Sequence, residues 1–234
     1  MERDRRARVI AIAALLVGVV GLSLGFAAFS NTLTIKSSAE VNVDENIFNV
    51  DFADSTGSTS ATTVTPTLTP SSGAPAGFSG DNATIDNSTD GAPVIQNLHA
   101  TFTEPGQSVT YTFKTKNVGE LKAFLTSVNF AEVATGVTKQ CTAKAVTAPA
   151  TPATDSLVQA ACQGISLTMT LGSESFTSTT ARAAFTSATA HDLEVDATET
   201  VTVVISYAAG SAQADGDFDV SFGDITLNYS SVAS

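Results

Sequence analysis

The sequence predicts an all-β protein: an antiparallel two-sheet sandwich, with a jelly roll as the expected form, preceded by an N-terminal hydrophobic helix. Three observations predict it. Apolar residues alternate with Thr, Ser and Lys in run after run, and turn residues bound each run. The composition is rich in Thr, Ser, Ala and Val and poor in Lys, which suits half-exposed strands better than helices. The one long charge-free apolar run, residues 9–29, stands at the start of the chain behind Arg3, Arg5, Arg6 and Arg8. Turn-bounded alternation with little helix is the pattern of two packed antiparallel sheets.

The apolar run comes first. At 1.5 Å per helical residue its 21 residues span roughly 30 Å, one hydrocarbon core. The positive-inside rule leaves the arginines in the cytoplasm and sends the rest of the chain outside. Residues 1–30 are therefore either a signal peptide or a retained membrane anchor. Small residues at −3 and −1 suit cleavage after Ala27 or after Ser30. The run is longer than a usual apolar signal core, which keeps the anchor open. Membrane contact is expected only through residues 9–29.

Residues 31–234 form the expected domain. The apolar phase is odd over residues 32–43 (Leu33, Ile35, Ala39, Val41, Val43) and even over residues 47–52 (Phe48, Val50, Phe52). Residues 54–93 are dominated by Ser, Thr, Gly, Pro, Asp and Asn, with only Val64, Leu68, Phe78 and Ile85 as large apolar residues. That is too few to bury a core, so a flexible insertion is expected there. Three Asn-x-Ser/Thr sites begin at Asn82, Asn87 and Asn228.

Strands resume with Leu98, Ala100 and Phe102 on one face. After a Glu-Pro-Gly-Gln turn, Val109, Tyr111 and Phe113 alternate with polar residues. Asn117-Val118-Gly119 turns the chain into a strand beginning Phe124, Val128, Phe130. Thr154 is a candidate cap for a short helix through Cys162. Then follow a strand from Ile165 to Leu171, an Ala-rich stretch over 178–190 that reads as a second short helix, and a strand from Val201 to Tyr207. In the last strand the phase slips between Phe222 and Ile225, so a β-bulge at Gly223-Asp224 is expected.

Charge narrows the partners. The whole chain carries −12; residues 1–30 hold four Arg against Glu2 and Asp4, so the remainder carries −14. Such a surface repels nucleic acid and anionic headgroups, and nucleic acid is excluded as a partner. Cys141 and Cys162, the only cysteines, have 20 residues between them. Outside the cytoplasm a lone pair reads as a disulfide, and closing that loop stabilises by roughly 3 kcal/mol. Their spacing is not C-x-x-C, which disfavours a redox couple.

The remaining chemistry is thin. Asp86 and Asp90 occupy the first and fifth positions of a calcium-type loop with Gly91 sixth, but the twelfth position is Asn97 rather than Glu. Calcium is the only cofactor the sequence suggests, against an Asx-rich turn. His99 and His191 read as surface residues. No catalytic constellation is expected, and the chain does not read as an enzyme.

Two patches resemble the TasA/camelysin type of secreted surface protein. One is Gly-Phe-Ala-Ala-Phe-Ser-Asn-Thr-Leu-Thr-Ile at 25–35, an export segment running into a first strand. The other is the turn–strand–Asn-x-Gly–strand unit over 104–130. The resemblance implies a jelly-roll subunit at the cell surface, polymerising head to tail into biofilm matrix fibres. The N-terminal strand of one subunit (Leu33, Ile35, Val41 and Val43 here) would complete the sheet of the next. Other surface or matrix proteins are further partners it suggests. Some camelysin-like members are described as metalloproteases, but this chain has no H-E-x-x-H. Export, strand-rich texture and an alternating arm make a fibre subunit the expected function. A membrane-anchored adhesion or ligand-binding sandwich is the alternative.

Overall fold

The computed structural model describes residues 47–71, 76–146, 151–172, 174–177, 183–184 and 191–232. The export segment with Ala27 and Ser30, and the arm with Leu33, Ile35, Val41 and Val43, lie outside the described residues. The chain divides into two compact units, Met1–Asn42 and Val43–Ser234, and everything below concerns the second.

In chain order the strands begin with β1 (Val50–Ala53), β2 (Thr63–Val64), β3 (Thr67–Thr69), β4 (Ser79–Gly80), β5 (Ala83–Asp86), β6 (Val94–Gln96) and β7 (His99–Phe102). Next come β8 (Ser108–Asn117), β9 (Ala123–Phe130) and β10 (Lys139–Ala143), then the helix α1 (Asp155–Cys162). The chain continues through β11 (Ile165–Leu171), β12 (Glu174–Thr177), β13 (Ala183–Ala184), β14 (Asp192–Leu193), β15 (Thr198–Tyr207), β16 (Phe218–Phe222) and β17 (Ile225–Ser230).

A six-stranded sheet runs β1-β8-β15-β11-β12, with β3 also paired to β8. Two sheets make the opposite layer: β10-β16-β7-β4, and β13-β9-β17-β6-β5-β2 with β14 also on β9. These two are joined end to end, because residues 94–102 and 218–226 keep a single antiparallel register. Phe218 faces Phe102 at one end and Ile225 faces Ile95 at the other. The ladder breaks where Asn97, at φ 58°, passes Gly223.

The alternation read from sequence sets which side chains go inside. β8 buries Val109, Tyr111, Phe113, Thr115 and Asn117 while Thr110, Thr112, Lys114 and Lys116 face outward. β15 and β11 do the same with Val201, Val203, Ile205, Tyr207 and with Ile165, Leu167, Met169, Leu171. Each such large apolar side chain contributes roughly 1.5–3 kcal/mol on burial. Between the layers the Tyr207 ring stands edge-on to Phe102 and Phe218, at 5.8 and 5.5 Å. The Tyr111 hydroxyl donates to the carbonyls of Asp81 and His99, both at 3.0 Å. An antiparallel all-β sandwich is thus what the chain forms.

Four details differ from the sequence reading. Residues 54–93, expected as an insertion without structure of its own, hold β2, β3, β4 and β5. Val64, Ala83 and Ile85 enter the core, whereas Leu68 stays 40 % exposed and β3 is held by its ladder to β8. Backbone pairing organises this stretch, β2 on β5, β5 on β6, β4 on β7 and β3 on β8. Within the Ala-rich stretch, Ala183-Ala184 form β13 on β9, and the rest lies outside the described residues.

The slip at Gly223-Asp224 is the crossing from one sheet to the next, not a ladder bulge. The bulge sits on β9, where Leu125 faces Tyr229 and Ser127 faces Asn228, so Thr126 is the extra residue. That bulge also corrects the fourth point. Ala123, Leu125, Val128 and Phe130 are buried, while Phe124 turns outward under the Lys122 ammonium, 5.7 Å from its ring.

Candidate assembly surface at the sheet edges

A strand edge exposes unpaired N–H and C=O groups that can pair with another chain, so the edges are where an all-β protein can assemble. Three edges are managed in three ways.

β10 is the outer strand of its sheet, and α1 lies along it. Asp155 to Cys162 is helical because Thr154 breaks from extended backbone into a run of good helix formers. The expected Thr154 cap is absent: its side chain makes no capping bond. Instead Thr154 gives its N–H and its hydroxyl to the Asp215 carboxylate, at 2.7 and 2.6 Å. Those bonds hold the Asp215 carboxyl below its ordinary range, first through the Thr154 hydroxyl. At the other end Cys162 is disulfide-bonded to Cys141 of β10, with Cα atoms 6.0 Å apart. Between them the Gln159 amide donates to the Cys141 carbonyl at 3.1 Å. The helix thereby closes a sheet edge. A groove of about 540 Å3 remains beside it, lined by Val137, Lys139, Gln159 and Cys162.

β9 is covered by the two ends of the 183–193 segment, β13 and β14. Lys122 bridges to Asp192 and Glu194 at 2.5 and 2.6 Å across this edge. Just before β14, His191 is buried, with Nδ1 2.8 Å from Glu199 and Nε2 3.6 Å from Glu174. The surface position expected for His191 is therefore corrected. Glu199 lies eight residues on, at the start of β15, and Glu174 lies on β12, and the folding of those strands brings both to it. His99 does lie on the half-exposed side of β7, paired to Asp81 at 2.9 Å.

β1 is the outer strand of the six-stranded sheet. Asp51 and Ala53 face Lys116 and Lys114 of β8, and Asn49 accepts from Val118 N–H at 3.0 Å. Alternation then turns the backbone of Val50 and Phe52 outward. At Phe52 one side chain meets both groups: Asn87 accepts the Phe52 N–H at 2.8 Å and donates to its carbonyl at 2.9 Å. The outward N–H and C=O of Val50 bond to no described residue.

Asn87 was singled out in the sequence only as a glycosylation motif. Its amide is committed to β1, and that of Asn228 to Ser127 at 3.0 Å; the Asn82 side chain is exposed. Asp86 accepts the Ser88 N–H at 2.9 Å, an Asx turn, and Ser88 holds its carboxyl below the ordinary range. Asp90 is exposed, and its charge adds to the burial that raises the Asp51 carboxyl. Among the described residues no three His, Cys, Asp or Glu are grouped to hold a metal ion, and no helix is long and apolar enough to cross a membrane.

The fold defines a class: an antiparallel β-sandwich with one internal disulfide. No family model matches the chain, and neither a curated protein nor a solved structure does.

Proposed function

We propose that this chain is an exported structural surface protein, a subunit of extracellular fibres or matrix. Subunits join by adding the N-terminal strand of one to a sheet edge of the next. The sandwich is taken as a jelly roll, and its site of action as the cell surface. The observation that carries the reading is positional. An alternating segment, residues 33–43, follows an export segment directly and precedes a β-sandwich whose compact unit begins at Val43. Strand addition uses main-chain hydrogen bonds that an alternating arm can supply. Head-to-tail addition does not close, so it gives filaments. The disulfide agrees with an oxidising compartment.

Negative-stain microscopy of the secreted protein tests this. Filaments that shorten or vanish when the chain is truncated to start at Ser38 are the expected result. Monodisperse monomers, or fibres unaffected by truncation, would overturn it; monomers that bind a glycan or protein would favour the adhesion-domain alternative.

A further inference from the structure

We infer that the chain is O-glycosylated on β3 and the residue pair before it: the hydroxyls of Thr65, Thr67 and Thr69 are acceptors for sugar delivered by a separate transferase. This rests on the export reading above and adds a modification to it.

Residues 55–71 hold eleven Ser or Thr among 17 residues, two prolines and no charged residue, in a domain that carries −14. Serine and threonine with proline is the composition of O-glycosylated surface segments. Toward the ends of the run the hydroxyls are committed: Thr56 donates to Asp54 at 2.6 Å, and Ser71 donates to Glu104. Between these two, no Ser or Thr hydroxyl is hydrogen-bonded to a described residue. Thr65, Thr67 and Thr69 are all exposed.

A transferase has to seat its acceptor as an extended segment reached from an open side. β3 is paired on one side only, to β8, through Thr67 with Thr110 and Thr69 with Ser108. Strand period puts the Thr67 and Thr69 hydroxyls on one face, about 6.6–6.8 Å apart. Pro66 and Pro70 stand before and after the strand, and each holds the residue ahead of it, Thr65 and Thr69, to extended backbone. Other outward hydroxyls fit less well. Thr110, Thr112, Thr168, Thr170 and Thr202 are half-buried on strands flanked on both sides. Among outer strands, β12 offers Ser175, whose hydroxyl lies 3.3 Å from that of Thr170, and β4 offers Ser79, which is half-buried. In the transfer, the Thr Oγ1 attacks C1 of a phosphosugar donor, carried on a nucleotide or a polyprenol. The Oγ1–C1 bond forms, the C1–O bond to phosphate breaks, and its electron pair leaves with the phosphate. The hydroxyl proton passes to a base of the transferase.

Mass spectrometry of the protein, recovered from the cells that make it and from their medium, is the deciding measurement. The tryptic peptide of residues 37–114 is expected to exceed its sequence mass by whole sugar residues. Fragmentation should place them on Thr65, Thr67 and Thr69, and alkaline elimination should remove them. Thr65→Val, Thr67→Val and Thr69→Val together are expected to abolish the excess, and valine keeps the strand. If that variant does not fold, the fragmentation map of wild type decides by itself. Exported protein whose peptide has its sequence mass would overturn the inference and leave export intact. Sugar confined to other residues would overturn the assignment to β3. Protein found only in the cytoplasm would overturn the export reading, and this inference with it.

Discussion

Asn117 illustrates how much one buried amide can hold. It is fully buried at the end of β8. Its Nδ2 donates to the carbonyls of Leu121 and Leu193, at 2.8 and 3.0 Å, and its Oδ1 accepts the Gly119 N–H at 3.0 Å. It thus ties its own turn to the strand β14. The sequence marked Asn117 as a turn residue, from its Asn-x-Gly setting, but gave no sign of the bond to Leu193. Asn117→Ala leaves the Leu193 carbonyl without its donor, while the Gly119 N–H keeps the Asn49 carbonyl at 3.1 Å, and is expected to cost about 1–3 kcal/mol, read from urea unfolding. Gly223 is a second such point. A Cβ there would lie 2.1 Å from the Ala131 carbonyl oxygen, which is backbone and cannot swing away. Gly223→Ala is expected to destabilise by roughly 2–3 kcal/mol, and a melting curve matching wild type would contradict it.

At the scale of elements, the disulfide is the clearest case of a feature legible in sequence whose purpose was not. A lone pair of cysteines, read outside the cytoplasm, announces a bridge. That the bridge fastens α1 over the edge of β10 depends on the fold. Cys141→Ser with Cys162→Ser is expected to lower stability by roughly 3 kcal/mol, the chain-entropy value for a loop of this length. Freed from its C-terminal staple, α1 should also release the edge, and a concentration-dependent rise in light scattering after reduction would report it. Unchanged melting with and without a dithiol would argue against both. The long strands β8, β11 and β15 were readable because each buries one face only. β2, β3, β4 and β13 were not, because two or three residues carry no period and their ladders come from strands far away in sequence.

For the whole molecule, acidity shapes the stability curve. Burial raises the Asp51 carboxyl, and burial followed by the charge of Asp86 raises that of Asp224. A carboxyl raised on folding takes up its proton in the folded state first. It therefore costs stability at neutral pH, and that cost disappears as pH falls through the raised value. The exposed carboxyls of Asp54, Asp86, Asp192 and Asp215 are lowered by hydrogen bonds. Their contribution is present above the ordinary carboxylate range and lost only as pH falls below it. The −14 domain also repels itself less as it is titrated. Urea midpoints should thus rise from pH 7 to about pH 4 and fall below it. Asp51→Asn should be more stable than wild type at pH 7 and close to it at pH 4.

The sequence by itself determined the class of fold, the faces of the long strands and the disulfide pair, since each is written in local period, composition or count. Tertiary structure alone decided which strand lies at which edge and what guards it. Asn87 was a motif until β1 came to rest beside it. His191 was a surface residue until β12 and β15 brought Glu174 and Glu199 to it. The physical reason is that contacts between side chains and neighbouring strands, whether eight or 35 residues apart in the chain, leave no periodic trace in the sequence.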